Sequence, residues 1–282
     1  MSEHPIAARW RSIRTGGGDA GTARRAALIP YLTAGFPTPQ LSLEALRVVE
    51  AAGADLIEVG VPFSDPLADG PTIQRSTQTA LDRGMTVPRV LELIERAALK
   101  VPVVVMTYVN PVLAYGLERF VADAAAAGAS GLLLTDFPAG ADPRVEAVVA
   151  ASPLALIRLI APTTTAERLA CAVGGGASGF LYLISRLGVT GARDQVPADL
   201  PDHVARVRAA SDLPLAVGFG LSTPAQARAT ARLADGVVVG SALVRLVEQM
   251  GEDPDLPAML ELRVRELAAP LHAAVPGMLA AR

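Results

Sequence analysis

Residues 57–71 read IEVGVPFSDPLADGP, an apolar run that carries Glu58 and then breaks into a loop with two aspartates, Asp65 and Asp69. Side chains of an extended segment alternate faces, so Leu56, Glu58 and Gly60 share one side and the branched Ile57, Val59 and Val61 the other. The branched side suits packing under helices, which turns Glu58 toward an interior. A carboxylate there is costly when ionised, so its pKa rises and it can exchange protons near neutral pH. A buried glutamate paired with an arginine, such as Arg158 in LALIRLIAP, is the other reading of the same pattern. Asp-Pro and Asp-Gly are ordinary turn dipeptides, so the loop by itself does not rank Asp65 against Asp69.

A second group of residues suits an anion. GFGLS (218–222) opens into STPAQA, and VVVGSALV (237–244) carries Gly240-Ser241 into another helical stretch. Glycines let backbone N–H groups approach a phosphate, and a helix N-terminus favours negative charge. Between the two groups runs SRLGVTGARDQVP (185–197), with Gly188 and Gly191 and a charged middle. That composition suits a lid over a substrate or a plain surface loop. Tyr182 shares a side with Phe180 and Ile184, and is either an inward hydroxyl near the site or a core aromatic.

Positioning such groups requires a regular scaffold. Strand candidates fall at 27–35, 55–62, 101–110, 131–138, 154–162, 179–185, 214–220 and 235–241, separated by Ala-, Leu-, Glu- and Arg-rich stretches. One of these, PQLSLEALRVVEAAG, repeats Leu43, Leu46 and Val49 at helical spacing, and ERFVADAAAAGA closes at Gly128. Eight strands alternating with helices in 282 residues predict a single-domain (β/α)8 TIM barrel. A doubly wound sheet would need a switch point and usually fewer strands. The barrel is expected over 27–272, preceded at 1–26 by an extra helix and the glycine-rich spacer TGGGDAGT. In such a barrel chemistry sits at the C-terminal strand ends, where the polar residues here gather.

Composition narrows the partners. A net charge of −3 with mixed signs provides no basic stripe for nucleic acid and no polybasic segment for a membrane. No uncharged apolar run reaches the roughly 18 residues a membrane helix needs, and the N-terminus lacks a signal-peptide core, so a cytoplasmic protein is expected. The one cysteine, Cys171, is expected to be a buried, inert thiol. None of His4, His203 and His272 stands at a strand C-terminus, which leaves metal ligation and a Ser-His pair without support. No G-x-G-x-x-G follows the first strand. Carboxylate acid/base chemistry on a small phosphorylated substrate remains.

EVGVPFSDPLADGPTIQ, with LIPYLTAGFP, MTYVNPVLAYG, LISRLGVTGAR, AVGFGLS and GVVVGSALV in this order, resembles the tryptophan synthase alpha chain family over about residues 27–250. The resemblance implies cleavage of indole-3-glycerol phosphate to indole and glyceraldehyde 3-phosphate without metal or organic cofactor. It also implies a pyridoxal-phosphate-dependent beta chain as partner in an α2β2 complex. By the same comparison Glu58 is the acid/base, Asp69 holds the indole N–H, and Asp65 belongs to loop structure and subunit contact. Tyr182 matches a tyrosine close to the substrate, and Gly191, Phe219, Gly220, Gly240 and Ser241 match phosphate-binding positions. Thr190 matches a lid threonine that contacts Asp69 on closure, while Phe180 stands where some members carry a second tyrosine. A free-standing lyase and a catalytically silent, partner-activating barrel are the competing readings.

Overall fold

The computed structural model describes residues 3–15, 25–185, 197–218 and 220–273. Thr190, Gly191, Phe219, the interior of the expected lid and most of the glycine-rich spacer lie outside the described residues.

In chain order the elements are α1 (Pro5–Thr15), β1 (Ala27–Thr33), α2 (Pro39–Ala51), β2 (Ile57–Gly60), α3 (Pro71–Asp82), α4 (Val87–Ala97), β3 (Val103–Thr107), α5 (Val109–Tyr115), α6 (Leu117–Ala126) and β4 (Ala129–Leu134). There follow α7 (Pro143–Ala150), β5 (Ala155–Ile160), α8 (Ala166–Gly174), β6 (Leu181–Ile184), α9 (Leu200–Ala210), β7 (Leu215–Gly218), α10 (Pro224–Ala231), β8 (Gly236–Val239), α11 (Ser241–Met250) and α12 (Leu256–His272). The strands pair in parallel in sequence order and β8 closes on β1. All eight expected strands form, several of them shorter than their apolar runs. The second narrows to Ile57–Gly60, just ahead of Pro62, and the third gives way at Tyr108 to α5.

Face alternation along the strands sorts the core into two layers. Ile29, Leu56, Val104, Leu133, Ile157, Phe180, Ala216 and Val238 fill the barrel interior. Their neighbours Leu28, Ile57, Val59, Val105 and Leu132 pack under the outer helices, where Leu43, Leu46 and Val49 of α2 meet them.

The interior is closed at its N-terminal end by α1. Ile6, Trp10 and Ile13 of this helix are buried in the interior cluster, and Trp10 meets Phe180 edge-on with ring centroids 5.8 Å apart. Such a contact contributes about 0.5–1.5 kcal/mol beyond burial. Gly236, first residue of β8, leaves the space: a Cβ there would lie 2.7 Å from the Trp10 ring.

Two buried aspartates, each following an alanine just before a strand, clamp this floor. Asp55 is fully buried and accepts from Leu28 N (2.9 Å), Arg9 Nη2 (2.6 Å), Arg25 Nη2 (2.7 Å) and His272 Nε2 (3.1 Å). Asp235 accepts from Leu215 N (2.8 Å) and pairs with Arg208 (3.1 Å) and with Arg14 of α1 (3.9 Å). Arg9 and Arg14 thus pin the same helix at two points.

Cys171 departs from expectation. The buried face of α8 is Leu169 and Ala172, which turns the intervening thiol outward, and Cys171 is exposed. Among the described residues no helix is long and apolar enough to cross a membrane.

Candidate active site

At the opposite, C-terminal end the strands open into a cavity lined by Tyr31, Glu58, Asp69, Tyr182, Gly240 and Ser241, with Met106, Leu159, Ile184 and Val238 as its apolar wall. Glu58 is contributed by β2, and its register partner is Tyr31 on β1. It is 1% exposed. Neither carboxylate oxygen has a hydrogen-bond partner among the described residues. Burial pushes its pKa up to about 8. The arginine-paired reading fails on strand periodicity, because Arg158 lies on the outer face of β5. It binds the Glu146 carboxylate, the Gly175 carbonyl at 3.1 Å, and stacks over Phe137.

The loop after β2 sends its two aspartates in different directions. Asp65 is exposed, accepts from Ser64 Oγ at 2.6 Å and faces an outer groove beside Pro66 and Leu67. Asp69 lines the cavity, accepts from Tyr108 Oη at 3.0 Å, and its pKa is pushed up to about 6 by burial, opposed by that hydrogen bond. Two carboxyls with separated pKa values therefore share one cavity, the arrangement that lets one carry a proton while the other is charged.

Tyrosine rings flank the pair, each lying over a glycine of the next strand. A Cβ at Gly60 would sit 2.1 Å from Tyr31 Oη, and one at Gly218 would sit 2.3 Å from Tyr182 Oη. Only the bare glycine backbone lets either ring lie inward. Burial first, then the nearby carboxylates, raises the pKa of both phenols, so both hydroxyls keep their protons. Tyr182 is thus buried and cavity-lining at once, merging the two roles that its periodicity left open.

Anion-binding capacity sits at one of the two expected helix termini. The N-terminus of α10 is closed on itself: Gln226 Oε1 accepts from Ser222 N (2.8 Å) and Thr223 N (3.0 Å), while Thr223 Oγ1 caps Gln226 N. The N-terminus of α11 begins after Gly240 with no side-chain cap, and Gly240 and Ser241 line the cavity with Gly220, whose φ is +85°. Uncapped first-turn N–H groups and a helix dipole are a ready phosphate seat.

Residues that the sequence reading passed over complete the site. Tyr108 and Thr135 sit just past the ends of β3 and β4, and Tyr31 faces in from β1. For Tyr108 and Thr135 the legible signal was their place just past a strand end, where barrels carry their chemistry, and for Tyr31 its inward facing within β1.

The family model described as tryptophan synthase alpha chain matches residues 19–272. The tryptophan synthase alpha chain of Chloroflexus aggregans is 48% identical over 229 residues, covering 80% of this chain and 85% of that one. That of Solibacter usitatus is 48% identical over 245 residues, covering 86% and 91%. Among solved structures, Mycobacterium tuberculosis tryptophan synthase superposes with a TM-score of 0.85 at 40% identity, covering 96% of this chain and 99% of that chain. The Legionella pneumophila alpha subunit gives 0.83 at 32% identity, covering 96% and 99%.

Proposed function

The chain belongs to the tryptophan synthase alpha chain family, and from that premise we propose how its cavity performs the lyase reaction, cleavage of indole-3-glycerol phosphate to indole and glyceraldehyde 3-phosphate. The observation that carries the reading is Glu58, a buried carboxyl with neither oxygen bonded among the described residues, in a cavity whose other lining suits the rest of the substrate. Held protonated near neutral pH, Glu58 donates its proton to indole C3. The indolenine cation so formed is stabilised by the Asp69 carboxylate accepting from the ring N–H. Glu58, now a carboxylate in an apolar setting, removes the proton of the adjacent glycerol hydroxyl. The C–C bond breaks, its electrons return to the ring, and an aldehyde is left, with no net change in protons. The phosphate is seated on the α11 N-terminus with Gly220, Gly240 and Ser241, and Phe219, Thr190 and Gly191 are assigned to the same end and its closure by resemblance. Tyr182 orients the substrate from β6. The active protonation state is Glu58 neutral with Asp69 charged, a window bounded by pH about 6 and about 8.

Tyr182 orientation depends on Gly218, whose Cβ in a Gly218→Ala variant would collide with the phenol. Displacing the ring by the order of 1 Å is expected to lower kcat/KM about 100-fold with the fold retained, as steady-state indole release and circular dichroism would record.

The partner in this reading is a tryptophan synthase beta chain in an α2β2 assembly, acting in the cytoplasm. Support comes from the cavity rim, where Leu67 is 91% exposed after β2 and Leu113 is 51% exposed on α5. Two exposed apolar side chains on the segments that follow neighbouring strands suit a protein contact. The deciding experiment is indole release by the purified chain with and without an added beta chain. Basal cleavage with strong activation is expected, and Leu67→Asp should lose the activation while keeping the basal rate. No cleavage under either condition would sink the enzymatic reading, and indifference to the beta chain would leave a free-standing lyase.

A further inference from the structure

Tyr108 is 4% exposed, its ring lies 5.2 Å from that of Phe63, and it does not line the cavity. Its hydroxyl nevertheless holds the one side-chain hydrogen bond to the Asp69 carboxylate among the described residues, donating to Oδ2 at 3.0 Å. The same oxygen accepts from the Ala68 N–H at 3.0 Å. One phenol from the residue just past β3 therefore grips both the backbone and the side chain of the segment that follows β2.

We propose that Tyr108 is a positioning residue for the lyase reaction: its hydroxyl clamps the Ala68–Asp69 segment and fixes the Asp69 carboxylate through Oδ2, leaving Oδ1 for the indole N–H. The inference rests on the role assigned to Asp69 above. The physical need for it is plain in the local chain. Asp69 sits at the end of a loop bracketed by Pro62 and Pro71 and held otherwise by the weak Asp69 N to Pro66 O contact of 3.4 Å and by Gln74 on its carbonyl. Nothing else in the described structure sets the carboxylate's rotamer. A buried, charge-assisted donor does so and favours the ionised form. Among the described residues the other titratable groups facing Asp69 are Glu58, Tyr31 and Tyr182 across the cavity, none of them cationic, so the Tyr108 hydroxyl is what opposes the effect of burial there.

The test is Tyr108→Phe, which keeps the ring against Phe63 and removes only the hydroxyl. Indole release is expected to show kcat/KM lowered about tenfold, as for loss of one hydrogen bond to a charged group. The acidic limb of its pH profile should move upward from about 6, because an Asp69 without its donor takes up a proton more readily. Placing 3-fluorotyrosine at position 108 keeps the shape and strengthens the donor, and should move the limb the other way. In an Asp69→Asn background, Tyr108→Phe should add no further loss. An unmoved limb in both position-108 variants, or an equal loss in both backgrounds, overturns the proposal. Asp69→Asn alone separates it from the reading beneath: full activity there removes the role of Asp69 itself, whereas an impaired Asp69→Asn beside an unaffected Tyr108→Phe removes only the clamp.

Discussion

Glu58→Gln is expected to lower the rate of indole formation by roughly 10²- to 10⁴-fold, the range of a single acid/base group, while making the fold less sensitive to alkali. Glutamine has nearly the same shape but neither delivers a proton to indole C3 nor accepts one from the glycerol hydroxyl. The stability effect follows from the raised pKa. In the unfolded chain Glu58 ionises near 4.5, whereas in the fold it keeps its proton up to about 8. Between those values the native state binds the extra proton, so unfolding becomes easier as pH rises, and the full cost is present above about 8. At about 1.4 kcal/mol per pKa unit this amounts to a few kcal/mol. Urea unfolding at pH 5 and pH 8 should therefore show a loss of stability in the wild type that is smaller in Glu58→Gln. Equal pH dependence in the two proteins, or retention of full turnover, would contradict the assignment.

Asp55→Ala is expected to do the reverse, destabilising the fold by about 3–5 kcal/mol and leaving the chemistry of the surviving native enzyme close to normal. Asp55 lies at the floor, at the far end of the barrel from the cavity. Without it the part-buried Arg9, Arg25 and His272 and the buried Leu28 N–H lose a shared acceptor. Burial alone would raise the Asp55 pKa, yet the hydrogen bonds from His272 and Arg25 hold it well below its ordinary 3.8. Its contribution is therefore complete above that value and disappears as the pH falls through the depressed one. Denaturation midpoints across the acid range should fall more steeply for the wild type than for the variant. Asp55→Asn, which retains one acceptor oxygen, should lie between them. Unchanged midpoints would mean that the floor network contributes nothing.

The two carboxylates differ in how far a sequence alone reveals them. The facing of Glu58 follows from a two-residue period, a local property, and the branched neighbours Ile57, Val59 and Val61 made it legible. The choice between Asp65 and Asp69 is not local. It depends on where the loop lands, and that is set by Tyr108, 39 residues downstream. The resemblance to a family ranked the two aspartates; turn chemistry could not. Asp55 and Asp235 were passed over because their arginines come from other elements, Arg9 of α1 and Arg208 of α9. The one local trace was the repeated Ala-Asp before strands two and eight. Cys171 was misplaced because an apolar run does not by itself say which side of a helix faces the barrel, whereas Leu169 and Ala172 together do. The anion site was read as two equivalent glycine-bearing helix starts, and the inequality lies in Gln226, whose amide closes one of them.

The helix that stoppers the barrel also decides how molecules move through it. With Ile6, Trp10 and Ile13 wedged into the floor, the described residues leave the cavity open toward the opposite end, the side where Leu67 and Leu113 stand uncovered. A protein docked over that side would stand where an apolar product leaves the barrel, as a gatekeeper and its first receiver.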